Sequence, residues 1–119
     1  MKKQKINTIM VLHKRCGHAP RIIDVPDTLE SLQNLVGGCI EVVPLTAHVV
    51  LVCNETGKLD GLDPNPFMGM PDLVGDWFIC GVSGEDFCSL SKDVAAYLYF
   101  TYPAMDGWKF DARGAMRDD

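Results

Sequence analysis

The stretch that most constrains the fold runs from Gly37 to Asn65, GGCIEVVPLTAHVVLVCNETGKLDGLDPN. It contains two runs rich in β-branched residues, 40–43 and 49–52, which are separated by a short turn. Two such runs around a short turn predict a β-hairpin. A polar, glycine-rich loop begins at Asn54 and closes the second strand. The pattern therefore predicts an antiparallel strand pair followed by a polar loop.

Strand and helix patterns on either side of the hairpin indicate an α+β fold. They predict strands at Ile6–Leu12, Arg21–Val25 and Leu73–Val82, a helix from an Asp27-x-x-Glu30 capping box to Gly37, and a helix from Ser91 to Tyr102-Pro103. The order β-β-α-β-β-β-α, with short hairpin connections, favours a mainly antiparallel or mixed sheet with both helices packed on one face. We expect a single domain over residues 1–103 and a polar C-terminal tail over residues 104–119.

The second helix is predicted to bury one face and to expose another. Val94, Tyr97 and Leu98 recur at helical spacing, so we expect them to face the core. Tyr99 and Tyr102 would then face outward, and an exposed tyrosine pair is typical of a contact with another subunit or protein. The sequence therefore leaves a homo-oligomer open.

Length, charge and cysteine content restrict the function. The chain of 119 residues has room for one core. Its 16 acidic and 11 basic residues give a net charge of −5, which disfavours a nucleic-acid partner because phosphate binding needs clustered Lys and Arg. Five cysteines, an odd number, indicate free thiols in a reducing cytoplasm. Since no segment approaches the ~20 apolar residues of a membrane span, we predict a soluble cytoplasmic protein without a membrane partner.

Three blocks of the sequence resemble one protein family. They are Leu29-Glu30-Ser31-Leu32-Gln33 leading to Val36-Gly37-Gly38-x-Ile40-Glu41, then Val52-Cys53-Asn54-Glu55-x-Gly57-Lys58-Leu59-x-Gly61-Leu62-x-x-Asn65, then Asp72-x-x-x-Asp76-x-Phe78-x-x-Gly81. The family is a small domain of unknown function found in bacteriophages and conjugative or mobile elements of Gram-positive gut bacteria. The resemblance, over roughly residues 20–100, implies an origin and a fold, but no activity, cofactor or catalytic residue.

The polar loop after the hairpin supplies the candidate ligand-binding residues. Asn54, Glu55, Lys58 and Asn65 offer amide groups, a carboxylate and an ammonium at the end of a strand, where ligand sites often lie. The loop is not a phosphate-binding Walker A loop, because the upstream glycine and the Ser or Thr after the lysine are missing. In the alternative interpretation, Asn54 bonds to its own turn and Lys58 is simply solvated.

A second candidate is the set His13, Cys16 and His18. Zinc sites usually combine two well-separated ligand pairs, and no second cluster follows in the sequence, so no metal site is predicted. Lys14 and Arg15 surround Cys16 with positive charge, which favours a lowered thiol pKa. This pattern leaves open a thiol-dependent hydrolase that uses Cys16 with His13 or His18.

The sequence carries no recognised catalytic signature such as Gly-x-Ser-x-Gly, His-Glu-x-x-His or a dinucleotide fingerprint. We therefore predict binding rather than catalysis, without a cofactor, with a host protein or a small ligand contacting the loop from Asn54 to Asn65. The alternatives are the Cys16 hydrolase and an acidic inhibitor of host DNA-acting enzymes, whose carboxylates would imitate DNA.

Overall fold

The structure is a computed structural model that describes the backbone of residues 7–106 and the side chains of residues 7–100. Its elements in chain order are β1 (Thr8–Lys14), β2 (Arg21–Pro26), α1 (Leu29–Val36), β3 (Ile40–Pro44), β4 (Val49–Asn54), β5 (Trp77–Ser83), β6 (Asp86–Cys88) and α2 (Lys92–Asp106). The sheet has the order β2-β1-β5-β4-β3, and β6 pairs with β5. All pairings among these strands are antiparallel, so the predicted α+β class with a mainly antiparallel sheet is confirmed.

Local signals end α1 and align the hairpin as predicted. Gly37 adopts the left-handed conformation (φ 77°) that glycine tolerates best, and its N–H donates to the carbonyl of Gln33 at 2.8 Å. The β3–β4 hairpin then places Val42 opposite Val52. This turn at Gly37 and the strand register together bring the end of α1 close to the end of β4.

The start of α1 differs from the predicted capping box. Thr28, not Asp27, is the N-cap, and its Oγ1 accepts a hydrogen bond from the Ser31 N–H at 3.2 Å. The Asp27 N–H donates instead to the carbonyl of Asn7 at 2.8 Å, which continues the β1–β2 ladder. Because this bond holds Asp27 in the sheet, the helix begins one residue later.

Strand β5 also begins later than predicted, at Trp77 rather than Leu73. Gly75 interrupts the chain with φ 77°, a conformation that no β-strand adopts. Each residue from Trp77 to Cys80 is fully buried, so this strand is covered on both faces of the sheet.

Each face of the sheet has its own core and its own helix. On one side, Leu98 of α2 packs with the strand residues Leu12, Leu51, Trp77 and Ile79. On the other side, Leu32 of α1 packs with the strand residues Val11, Val52, Phe78 and Cys80. The prediction that both helices share one face is therefore wrong. Strands that are apolar at consecutive positions need a cover on both faces, and one helix supplies each.

Helix α2 exposes a different face from the predicted one. Ala95 and Leu98 are buried, and Tyr99, four residues after Ala95, is half-buried on the same side. Tyr97 is 59% exposed, so its predicted place in the core is wrong. The side chain of Tyr102 lies outside the described residues.

The predicted end of α2 at Tyr102-Pro103 is also wrong, because the helix runs through Pro103 to Asp106. A proline removes one backbone hydrogen bond, but Ala104 and Met105 after it are good helix formers. Most of the predicted tail, including Trp108 and Phe110, lies outside the described residues. Neither helix within residues 7–106 is long and apolar enough to cross a membrane.

Candidate functional site

A cleft of about 420 Å³ lies beside the edge strand β3. One wall consists of Glu41 and Val43 of β3 and Cys53 of β4. The facing wall consists of residues 54–59 and 69–74, from the two ends of the long connection between β4 and β5. Since Cys53 and Val43 belong to the core beneath α2, the cleft opens on that face of the sheet. It adjoins the loop that the sequence predicts to bind a ligand.

Backbone hydrogen bonds hold the long connection in a defined shape. Residues 55–61 form successive turns directly after β4. Phe67 and Met70 exchange two backbone hydrogen bonds, at 3.3 and 2.8 Å, around a tight turn. An isolated bridge then pairs Pro64 with Val74 and brings the two ends of the connection together. The connection therefore forms a continuous wall for the cleft.

Asn54, the first predicted ligand residue, is 8% exposed and serves the fold. Its Nδ2 donates to the carbonyl of Val36 at 3.2 Å, which ties the end of α1 to the end of β4. Its Oδ1 accepts the N–H of Thr56 at 2.8 Å, which is the turn proposed in the alternative interpretation. Although Asn54 lines the cleft, its amide is already committed to backbone groups.

Asn65, the last predicted ligand residue, lies outside the cleft and is 2% exposed. Its Oδ1 accepts a hydrogen bond from the buried Lys14 ammonium at 2.9 Å. Its Nδ2 donates to the carbonyls of Lys14 (3.0 Å) and Gly75 (2.9 Å), and its own carbonyl accepts the indole N–H of Trp77 at 2.7 Å. These bonds anchor the middle of the connection to β1 and β5.

Glu55 and Lys58 are the two predicted residues whose side chains are exposed at the cleft. Sequence reasoning missed two further charged residues of the lining, Glu41 and Asp72. The alternation of β3 was a usable signal for Glu41, because residues 41 and 43 must share a face of the sheet. Nothing local in the sequence indicates that Asp72 folds back onto this wall.

The charges of the cleft act on the thiol of Cys53. Burial raises the pKa of this thiol, the Glu41 carboxylate raises it further, and the Lys58 ammonium opposes the effect. The thiol group contacts the Glu41 carbonyl at 3.8 Å. A thiol with a raised pKa stays protonated at neutral pH and is a poor nucleophile, so Cys53 is part of the wall rather than a reactive group.

The predicted lowering of the Cys16 pKa is wrong. Partial burial raises the pKa of this thiol, and the nearby Asp76 carboxylate raises it further. Asp76 accepts the backbone N–H of Cys16 at 2.9 Å, while the Cys16 sulfur contacts the Asp63 carbonyl at 3.7 Å. The acidic neighbour therefore outweighs Lys14, which acts in the opposite direction.

His13 faces away from this thiol and serves the packing of α1. Its Nε2 lies 2.9 Å from the carbonyl of Leu35, and burial lowers its pKa. The structure therefore does not bring His13 and Cys16 together as a thiol–imidazole pair. In the described part of the chain, no group of three or more His, Cys, Asp or Glu side chains is arranged to hold a metal ion.

Comparison with known families assigns the chain. Residues 7–102 match a domain of unknown function, DUF3846. The chain belongs to this family. Membership of a domain-of-unknown-function family is thus confirmed, while the phage or mobile-element origin stays a prediction. No curated protein and no solved structure matches this DUF3846 chain.

Proposed function

We propose that this DUF3846 domain is a non-enzymatic, cytoplasmic accessory protein of bacteriophages or mobile elements that acts by binding. Its partner occupies the cleft between β3 and the connection 54–74. The observation that carries the proposal is the cleft itself, about 420 Å³ in volume, into which the predicted loop places exposed charged side chains. The phage or mobile-element origin rests on the sequence resemblance.

The lining of the cleft indicates what kind of partner fits. The carboxylates of Glu41, Glu55 and Asp72 outnumber the single ammonium of Lys58. Apolar surface from Met70 and other residues lies between these charges. Sites of this size that combine apolar walls with a few charged groups are typical of ligand and peptide binding. The partner of this cleft should carry positive charge on an apolar body.

The state of the cysteines supports the cytoplasmic part of the proposal. All five thiols are free, and all five lie within the described residues. Cys80 is fully buried, and burial raises its pKa to about 12, so this thiol stays protonated and inert at neutral pH. Free thiols are typical of a reducing compartment.

A charge-reversal experiment tests the binding role. The untagged protein is incubated with a small-molecule extract of its source organism and, separately, with a cell lysate, and native mass spectrometry records the added mass. We expect the wild-type protein to acquire a discrete ligand or partner. The double variant Glu55→Lys/Asp72→Lys should lose it, because two of the three carboxylates of the cleft become ammonium groups.

The double variant Glu85→Lys/Asp86→Lys is the matched control. It changes the net charge equally, but both residues are exposed at the β5–β6 turn and do not line the cleft. Binding that both double variants retain, or that both lose equally, would contradict a role for the cleft. Failure of the wild-type protein to acquire any partner would contradict binding as the function.

The two alternative functions each have a separate test. Replacement of Cys16 by Ser abolishes activity if the protein is a thiol-dependent hydrolase, and the raised pKa of Cys16 does not favour that mechanism. An inhibitor that imitates DNA would bind a host restriction or recombination enzyme in a strongly salt-dependent manner.

A further inference from the structure

Strand β3 is an edge strand of the sheet and offers backbone hydrogen-bonding groups to a partner. It pairs only with β4 among the strands that the structure describes. In an antiparallel pair, alternate residues of an edge strand direct their N–H and C=O groups toward the neighbouring strand and away from it. The groups that point away are a template for an additional strand.

Two hydrogen bonds that extend the β3–β4 ladder show which residues point outward. The Glu55 N–H donates to the Cys39 carbonyl at 2.8 Å, and the Leu45 N–H donates to the Val49 carbonyl at 2.9 Å. Odd-numbered residues of β3 therefore face β4 with their backbone groups. Ile40 and Val42 direct their N–H and C=O groups outward, and Pro44, which has no N–H, directs only its carbonyl outward.

This outer edge adjoins the acidic cleft. Glu41 and Val43 of β3 line the cleft, so a strand added to β3 would place every second side chain on the same face, next to the cleft. The remaining side chains of the added strand would lie beside Val42, which is 43% exposed on the opposite face. The edge therefore matches a segment that alternates positively charged and apolar residues.

We propose that the partner of this DUF3846 domain is an extended peptide segment of another protein, which adds to β3 as a strand and places Lys or Arg side chains against Glu41, Glu55 and Asp72. This inference rests on the proposed function and specifies its partner. Backbone hydrogen bonds to Ile40 and Val42 hold the segment, and the acidic cleft selects its charge.

Charge argues against a second copy of this chain as the occupant. A two-fold β3–β3 pairing centred on Val42 would put both acidic clefts on one face of the joined sheet, with the two Glu41 side chains in diagonal positions across the strand pair. Like charges that meet across a strand pair are destabilising, and each chain carries a net charge of −5. A basic segment from a different protein meets no such repulsion.

The test uses two blocked peptides of equal length, one in which lysine alternates with valine and one in which glutamate alternates with valine. Calorimetry measures their affinities, and amide hydrogen exchange followed by NMR locates the contact. We expect the lysine peptide to bind at least about tenfold more tightly than the glutamate peptide. Its binding should slow exchange at the Ile40 and Val42 amides, whereas the Glu41 and Val43 amides are already bonded to β4.

Two proline variants separate edge pairing from general charge attraction. Val42→Pro removes an outward N–H and leaves the β3–β4 ladder intact. It should therefore lower the affinity for the lysine peptide by about tenfold or more. Asp24→Pro is the control on the opposite edge, because the bond from Asp27 N–H to Asn7 C=O shows that Asp24 also points outward from β2. It should leave the affinity unchanged.

A third variant, Glu41→Lys, changes charge without altering the backbone. It leaves two carboxylates and two ammonium groups in the cleft, so it should abolish the preference for the lysine peptide. The inference would be overturned if the wild-type protein bound both peptides with equal affinity, or if Val42→Pro bound the lysine peptide as tightly as the wild type. It would also be overturned by a concentration-dependent dimer that Val42→Pro dissociates. If a ligand no longer binds to Glu55→Lys/Asp72→Lys but still binds to Val42→Pro, the result would support the proposed function of the cleft and overturn only the inference of strand addition.

Discussion

The connection between β4 and β5 contains two regions that use similar polar residues for opposite purposes. At its centre, Asn65 is buried and bonds to Lys14 and to the carbonyl of Gly75. At its beginning, Glu55 and Lys58 are exposed at the cleft. We call the first region the Asn65 anchor and the second the cleft rim.

The two regions differ in what their polar side chains bond to. The Asn65 amide donates to the carbonyl of Lys14, at the end of β1, and to the carbonyl of Gly75, just before β5. At the rim, the turns that follow β4 already pair their own backbone groups, so the charged side chains remain available to a partner. We therefore expect the anchor to determine stability and the rim to serve the proposed binding.

The largest effect should come from breaking the anchor with Asn65→Ala. This change removes an acceptor from a buried ammonium and the donor from two carbonyls, so we expect a loss of about 3 to 5 kcal/mol in the free energy of unfolding. Urea denaturation measures it. The control Asn34→Ala changes an exposed residue of α1 and should stay within about 0.5 kcal/mol of wild type. A small loss for Asn65→Ala would show that the anchor does not hold the connection.

The next effect concerns the glycine beside the anchor. Gly75→Ala forces a side chain into φ 77° and places its Cβ only 2.6 Å from Cδ1 of Leu62, so we expect a loss of about 2 to 3 kcal/mol. Gly61→Ala is matched in backbone strain (φ 69°) but meets no atom within 4 Å, so its loss should be about 1 to 2 kcal/mol. Thermal unfolding of both variants measures the difference between the two losses, which is the cost of the contact with Leu62. Equal losses would mean that Leu62 moves aside without cost.

Asn54→Ala lies between the two regions, because Asn54 lines the cleft and also bonds to the backbone. It removes the bonds to the Val36 carbonyl and the Thr56 N–H, so we expect a loss of about 1 to 2 kcal/mol in stability. Chemical denaturation checks this value. The prediction is contradicted if the variant keeps wild-type stability and loses only binding, since Asn54 would then belong to the rim.

The smallest effect on stability is expected at the rim itself. The separate variants Glu55→Ala and Lys58→Ala should each remain within about 0.5 kcal/mol of wild type, because exposed charged side chains contribute little to the folded state. Denaturation curves recorded beside those of Asn65→Ala measure the contrast directly. A loss of 2 kcal/mol or more at either position would remove the distinction between anchor and rim.

Sequence reasoning predicted the local features of the fold better than its tertiary features. The β3–β4 hairpin, the end of α1 at Gly37 and the cap of α2 at Ser91, whose Oγ accepts the Val94 N–H at 3.2 Å, all follow from short patterns. The start of α1 was missed by one residue because the competing bond of Asp27 comes from Asn7, twenty residues earlier in the chain. A sequence pattern that spans only a few residues cannot predict a hydrogen bond between residues so far apart in the chain.

The candidate site shows the same division. The loop after β4, which the sequence predicts to bind a ligand, lies beside the cleft, and Glu55 and Lys58 are exposed there. Asn65 was expected to contact a ligand, yet its amide is consumed by partners 10 and 51 positions away in the chain. Glu41 and Asp72 enter the lining from other segments.

The sequence by itself determined the approximate positions of both helices and of five strands, because β-branched runs, helix caps and glycines act over a few residues. It also determined the family and the acidic character of the protein. Only the tertiary structure decided which helix covers which face of the sheet, which polar side chains are buried and where the edge of β3 meets acidic side chains. These properties depend on hydrogen bonds and packing between distant segments, such as the bonds that join Asn65 to Lys14 and to Gly75.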